Sequence, residues 1–507
     1  MSIAVSYSAQ LIGLTAEIVT IEVDISHGLH AFAVVGLGDR AVDEAKDRIS
    51  AAIKNSGFTS PKQKNQKVVI SLAPADVRKE GPSFDLAMAL TYLKACDAID
   101  FDPQDTLFFG ELSLEGRVRK ISGLLPILCQ AAHMGFKHIF IPQDNIQEAL
   151  LARGLNIYPV SSLNDVIDHL GRTKTIEPVQ FNHNIEQTSD FFGPDIRSIR
   201  GNETAKRGLE IAAAGAHNVM LFGPPGTGKT MLAQCFPSIL PPLTYEQSVE
   251  VTGIHSAAKI LGSKMIIWPP FRAPHHTASY PAIVGGGNFP KPGEITLAHR
   301  GVLFMDEFPE FDRTVLESLR QPLEDRIITI ARARGSVTFP AQCILVASMN
   351  PCPCGRGQDF GCTCPAHIMD AYRRKISGPV IDRFDIWLNI AAVDYDQIAM
   401  RSSENESSAD VRFRVMKARE IQDQRFRTHR LQKSFNSEMS ADDIEKYLLM
   451  TDEARSLLIT CAEKFKFSGR AIHRIMRVAR TIADLANEKI VGNDHLLEAL
   501  QYRKNLF

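Results

Sequence analysis

The stretch "VMLFGPPGTGKTML", residues 219–232, decides the fold of this chain. Four apolar residues read as a buried strand. They run into Gly223, Pro224, Pro225, Gly226, Thr227, Gly228, Lys229 and Thr230, and a helix-forming segment follows. This is the complete G-x-x-x-x-G-K-T pattern in the strand–loop–helix setting it requires. Glycines there let successive backbone N–H groups wrap a phosphate chain at a helix N-terminus. Lys229 is expected to reach the β- and γ-phosphates of ATP, and Thr230 to hold Mg²⁺.

Downstream, "GVLFMDEF" (301–308) is a second apolar strand, ending in Asp306 and Glu307. Parallel strands buried on both faces read this way, and ligands gather at their carboxyl ends. Asp306 is expected to complete the Mg²⁺ shell, and Glu307 to deprotonate the attacking water. A third strand, "CILVASMN" (343–350), ends at Asn350, whose amide suits a water or the γ-phosphate. Arg383 in "ISGPVIDRFD" is either a structural ion-pair former or a finger for a neighbour's active site. Arg470 in "FSGRAIHRIMRVAR" is expected to reach back over the nucleotide.

Cys352, Cys354, Cys362 and Cys364 crowd into "NPCPCGRGQDFGCTCP" (350–365). Two C-x-C pairs joined by a short Gly-rich loop can close a tetrahedral zinc site. The expectation is a structural Zn²⁺ knuckle near a subunit boundary. The other cysteines are scattered among apolar or helical residues.

The chain has 507 residues, 44% apolar and 23% charged, with 57 basic against 58 acidic side chains. That is a soluble multidomain composition. With net charge near zero, any nucleic-acid site has to be a local groove. No apolar run is long enough to span a bilayer, and the N-terminus lacks signal-peptide features, so a cytoplasmic protein with no membrane partner is expected.

The pattern divides the chain into residues 1–170, a polar linker at 171–190, an α/β core at 191–395 and a helical region at 396–507. In the first part "AEIVTIEVDI" and "KVVISLAP" read as strands, and "DRAVDEAKDRISAAIKNSG" as a helix stopping at Gly57. Two segments are candidates for gripping DNA. "FRAPHHTASYPAIVGGGNFPKPGE" (271–294) carries Arg272, His275, His276 and Lys291. "EDRIITIARARGSVTFPA" (324–341) reads as a β-hairpin with Arg332 and Arg334 near its tip.

The order of these motifs resembles the magnesium-chelatase-like branch of AAA+ ATPases. "GLEIAAAGAHNVMLFGPPGTGKTMLA", "PGEITLAHRGVLFMDEFPEF" and "SMNPCPCG" resemble the ComM/YifB-type competence proteins. "VVGLGDRAVDEAKDRISAAIKNSGF", "LAPADVRKEGPSFDLAMAL" and "GELSLEGRVRKISGLLPIL" resemble that family's Lon-like domain. The resemblance implies an α/β multidomain protein. It would have an N-terminal Lon-protease-like (ribosomal S5 domain 2-like) α+β domain, a central AAA+ P-loop domain with a parallel sheet, and a C-terminal helical lid. It also implies a hexameric ATP-dependent DNA helicase for branch migration in natural transformation, acting on single-stranded and branched DNA beside a recombinase. Asn350 would then be sensor 1, Arg383 the arginine finger and Arg470 sensor 2. Lys375 and Asn202 depart from the family's usual Arg and Gln.

Two alternative readings share the ATPase core. One is a chelatase motor, which normally lacks the Lon-like domain and the cysteines. The other is a Lon-like protease with Ser83 in "RKEGPSFDLAMAL" as nucleophile. A serine needs a base, and Leu125 of "ISGLL" stands where Lon-type proteases carry lysine. Ser83 is therefore expected to be a turn residue or helix N-cap.

Overall fold

In the computed structural model the described residues are 3–36, 40–63, 65–75, 79, 81–179, 191–262, 264–287, 290–332, 335–357, 361–392 and 405–503. The chain forms two compact units. The first comprises Met1–Gln187, Tyr245–Ile266 and Asn288–Lys291; the second comprises Thr188–Thr244, Ile267–Gly287 and Pro292–Phe507. The segment Tyr245–Ile266, assigned from sequence to the α/β core, thus belongs to the first unit.

In the first unit the strands Ala4–Ile12 and Thr15–His27 form an antiparallel pair closed by a tight turn, with Ile12 opposite Thr15 and Gly13 at positive φ. Gln66–Ala73 pairs antiparallel with the second strand and parallel with Ala31–Val35, giving a mixed four-stranded sheet. Alternation sends Val19, Ile21, Val23, Val68, Ile70 and Leu72 into the core, as a half-buried sheet requires. The helix Arg40–Asn55 joins the two parallel strands and ends two residues before Gly57, which takes φ +89°. Helix Asp85–Ala95 is buried over nearly its whole length.

A second layer of this unit is a parallel sheet of Thr106–Phe108, His138–Pro142 and Asn156–Val160, with helix Leu124–His133. Helix Tyr245–Ala257 packs on that helix. Tyr245 donates its hydroxyl to Leu151 O, and the Arg153 guanidinium lies 3.6 Å from its ring centre.

The second unit is built on a five-stranded parallel sheet. Its order is Phe271–Arg272, Val302–Met305, Ile344–Met349, Val219–Phe222, Ile386–Asn389. The three central strands are apolar and buried almost throughout, because helices cover both faces of such a sheet. Helix Glu203–Gly215 leads into strand Val219–Phe222, and Gly208 packs close to Leu388, where an added Cβ would lie 2.3 Å from Cδ2.

The C-terminal part is helical: Ser408–Thr428, Ala441–Tyr447, Asp452–Phe465, Gly469–Leu485 and Asn493–Gln501. Ser407, Ser440, Thr451 and Ser468 each cap the helix that follows with a side-chain oxygen. The expected hairpin forms from Ile327–Arg332 and Gly335–Pro340; Arg334 lies outside the described residues. Among the described residues no helix is long and apolar enough to cross a membrane.

Candidate nucleotide site and a second, arginine-lined cavity

Strand Val219–Phe222 delivers its chain directly into the phosphate loop. Gly223 N–H donates to Met349 O on the adjacent strand, and a Cβ at Gly223 would meet Ile390 O at 2.3 Å. Gly226 and Gly228 take φ +79° and +88°, and a Cβ on either would point into open space. Helix Lys229–Cys235 starts at Gly228.

Lys229 Nζ donates to Gly223 O and Pro224 O, both at 2.7 Å, and to Asn350 Oδ1 at 3.1 Å. Burial lowers its pKa, and the Asp306 charge opposes that. Thr230 Oγ1 donates to Asp306 Oδ2 at 3.0 Å, while Ser348 donates to the other Asp306 oxygen. These hard oxygen donors at the loop's mouth fit Mg²⁺. Glu307 adopts a left-handed backbone, φ 50°, with its N–H held by Asp306 Oδ1 and Ser348 Oγ. Its Oε2 lies 3.2 Å from His276 Nδ1. Thr230, Asp306, Glu307, His275 and His276 line one cavity of about 370 Å³. Lys229, Thr230, Asp306, Glu307 and Asn350 therefore converge at the carboxyl ends of three neighbouring strands. Of the two departing positions, Lys375 pairs with Glu310 at 2.8 Å, and Asn202 sits at φ 55° before helix Glu203–Gly215.

Arg383 and Arg470 lie elsewhere. They share a cavity of about 710 Å³ with Arg326, Lys433, Arg474 and Arg477, and no phosphate-loop residue lines it. Asp385, the ion partner of Arg474 at 3.8 Å, donates its backbone N–H to Asn218 O, just before strand Val219–Phe222. The phosphate loop begins at the other end of that strand, four residues on at about 3.3 Å each. Arg470 therefore does not stand over its own chain's phosphate loop. Arg383 is 8% exposed and pairs with Glu324, yet its Nε and that of Arg477 have no hydrogen-bond partner in the structure. Burial, with like charge from Arg474 and Arg326, lowers the Arg477 guanidinium's pKa. Buried donors without acceptors are costly, and an anion entering this cavity would satisfy them. From sequence the basic helix "RAIHRIMRVAR" could face phosphate, but Arg474 and Arg477 were not grouped with Arg383, although Arg470, Arg474 and Arg477 recur at helical spacing on it.

The four cysteine Sγ atoms all lie within 4.8 Å of one another. Cys354 and Cys362 are 3.8 Å apart, close to the sulfur separation of about 3.8 Å that tetrahedral Zn–S bonds of about 2.3 Å demand. Gly357 N–H donates to Cys352 Sγ and Cys364 N–H to Cys362 Sγ. Backbone N–H groups, that of Arg356 foremost, bring the Cys354 thiol down to about 6, which favours the ligating thiolate. The donor set fits zinc. Gly355, at φ +81°, abuts the phosphate loop, where an added Cβ would lie 2.9 Å from Pro225 Cδ.

In the first unit Ser83 belongs to a 3₁₀ turn, Pro82–Phe84. It is a turn residue rather than the helix cap, which is Phe84. Its carbonyl accepts from Gly110 N–H. Leu125 is fully buried, and its N–H donates to Glu148 Oε1. Lys259 and Lys291 line a cavity of about 250 Å³ with Ser83, and neither is hydrogen-bonded to it among the described residues.

Fold and site together define a P-loop protein of the AAA+ class. The family model described as magnesium chelatase, subunit ChlI, matches residues 195–398; its C-terminal counterpart matches 405–503, and a further ChlI model matches 21–145. Competence protein ComM of Haemophilus influenzae is 40% identical, over 99% of this chain and 98% of its own length. Uncharacterized protein YifB of Salmonella typhimurium is 39% identical, over 99% and 97%. A Lon protease of Azospirillum brasilense is 29% identical over 29% of this chain and 19% of its own length. The chain accordingly belongs to the ComM family of magnesium-chelatase-like AAA+ proteins.

Proposed function

We propose that the chain is an ATP-driven DNA helicase that promotes branch migration during recombination of incoming DNA, working as a hexameric ring. The observation that carries this reading is the separation of two half-sites. The phosphate loop, Asp306 and Glu307 lie at one end of the sheet, and Arg383 and Arg470 at the other. A protomer cannot bring both to one nucleotide, whereas adjacent protomers in a ring can. Full-length kinship to a protein named for competence supports DNA as the substrate.

Within each seam, ATP with Mg²⁺ would be held by Lys229, Thr230 and Asp306. Glu307 would take the proton of the attacking water, with Asn350 orienting it. Arg383 and Arg470 of the neighbouring protomer would balance the charge that develops on the γ-phosphate. The cysteine quartet would hold one structural Zn²⁺. The Lon-like domain would be proteolytically inactive, because the buried Leu125 cannot accept a proton from Ser83.

The test is a branch-migration assay on a four-way junction with purified protein. Wild type is expected to resolve the junction only with ATP, with turnover stimulated by DNA. Glu307→Gln should bind ATP, trap the ring and leave the junction intact. A protein that remains monomeric with every nucleotide and DNA tried, or a Glu307→Gln variant with unchanged turnover, refutes the reading.

A further inference from the structure

Glu307 has a long, half-exposed side chain on a left-handed backbone. Three rotatable bonds leave such a carboxylate many orientations, and a base that is misdirected most of the time contributes little. Its backbone is fixed by Asp306 and Ser348. Among the described residues its carboxylate has one charged or polar side-chain neighbour within ion-pair distance, the His276 imidazole at 3.2 Å.

That imidazole is itself held in place. Its ring lies against that of His275, centroids 4.2 Å apart and planes tilted by 33°, and meets the Phe311 ring edge-on at 6.5 Å. His275 is oriented by Thr277, 2.8 Å from its Nδ1. The loop is anchored before these histidines by the Arg272–Glu294 fork, at 2.6 and 2.7 Å, and by pairing of Phe271–Arg272 with the Asp306 strand. It is closed after them by Ala278 N–H donating to His275 O. A metal role does not account for the histidine pair, since the only convergent ligand group among the described residues is the cysteine quartet.

We propose that His276 is a positioning residue for ATP hydrolysis: its Nδ1–H holds Glu307 Oε2 so that Oε1 is presented to the attacking water. A neutral imidazole donates this hydrogen bond while leaving the carboxylate anionic and able to accept the water's proton. The proposal rests on Glu307 being the base. It also means that the segment 271–294, read from sequence as a DNA-gripping loop, carries a side chain 3.2 Å from that base.

The experiment is steady-state ATPase kinetics of full-length protein, with nucleotide affinity measured separately using a fluorescent ATP analogue. His276→Phe keeps an aromatic ring against His275 and Phe311 but removes the N–H. It is expected to lower kcat about tenfold with KM and analogue affinity unchanged. His276→Asn places an amide N–H close to the Nδ1 position and is expected to recover kcat to within about threefold of wild type. In single-turnover measurements on Glu307→Gln, adding His276→Phe should cause no further loss, since the two residues act as one unit. The proposal falls if His276→Phe turns over within twofold of wild type. It also falls if Asn is no better than Phe, or if the Phe penalty persists undiminished in Glu307→Gln. Unchanged turnover in Glu307→Gln alone would instead remove the base assignment, and this proposal with it.

Discussion

Asp385 is buried, which by itself would raise its carboxyl pKa. The His217 imidazole at 3.3 Å and the guanidiniums of Arg474 and Arg477 win, and the group is held well below the usual carboxylate range. A depressed folded-state pKa contributes stability that is present above the unfolded value of about 3.9 and is lost as pH falls below it. Removing one partner of a buried charge cluster costs on the order of 3 kcal/mol. Asp385→Asn should therefore lower the melting temperature at pH 7, measured by calorimetry, and the gap to wild type should narrow as the pH drops from about 5 towards 3. An equal gap at both ends of that range would contradict the assignment. None of this is visible in "DRFD", because His217 and Arg474 are brought to Asp385 by tertiary packing from distant segments. Lys229, Thr230, Asp306 and Asn350 were legible for the opposite reason. Each follows an apolar strand, and parallel strands place their carboxyl ends together whatever lies between them.

At the scale of elements, the cysteine quartet lies against the phosphate loop. From sequence, the C-x-C pairs pointed to a structural Zn²⁺ knuckle, and their place just after Asn350 put it near a subunit boundary. In the structure Gly355 presses on Pro225 of the phosphate loop, and Asn350, two residues before Cys352, accepts from Lys229. A brace at those two points should govern nucleotide binding. Replacing all four cysteines by serine is expected to remove one equivalent of zinc by elemental analysis. It should also weaken binding of a fluorescent ATP analogue about tenfold, the scale at which loosening of a supporting shell is felt. Unchanged affinity in a metal-free protein would show that the knuckle does not brace the loop. The C-x-C pairs announced four candidate metal donors, but the contact with Pro225 arises only because the Ile344–Met349 strand lies beside Val219–Phe222. The strands Thr15–His27 and Gln66–Ala73 and the helix Arg40–Asn55 were similarly readable from alternation and from Gly57, whereas the partner of helix Tyr245–Ala257 was not. An apolar face in sequence shows that a helix packs, without naming its partner.

At the scale of the whole molecule, the two half-sites lead to a mixing experiment. Arg383→Ala retains the phosphate loop, and Lys229→Ala retains the arginines. Each alone should hydrolyse ATP at no more than about a hundredth of the wild-type rate, the order of loss expected when transition-state charge is left unbalanced. Mixed in equal amounts they should regain activity, because some seams then pair an intact loop with an intact Arg383. A mixture no more active than the average of its components would place both groups on one protomer's nucleotide and overturn the trans arrangement. The parallel core was legible from its apolar strands, and Arg383 was read as a possible finger for a neighbour, but the cavity it shares with Arg474 and Arg477 was not foreseen, since that grouping comes from tertiary packing.

The path of the polypeptide also bears on attempts to dissect this protein. It leaves the Lon-like unit after Gln187, returns at Tyr245, departs again after Ile266 and comes back briefly at Asn288. A gene cut once, in the polar stretch near residue 190, would yield an amino-terminal fragment stripped of the helix that covers Leu124–His133. The carboxy-terminal fragment would trail that same helix with nothing to shield its oily side. Surgeons of this gene would have to move residues 245–266 along with the front half, or expect both products to clump.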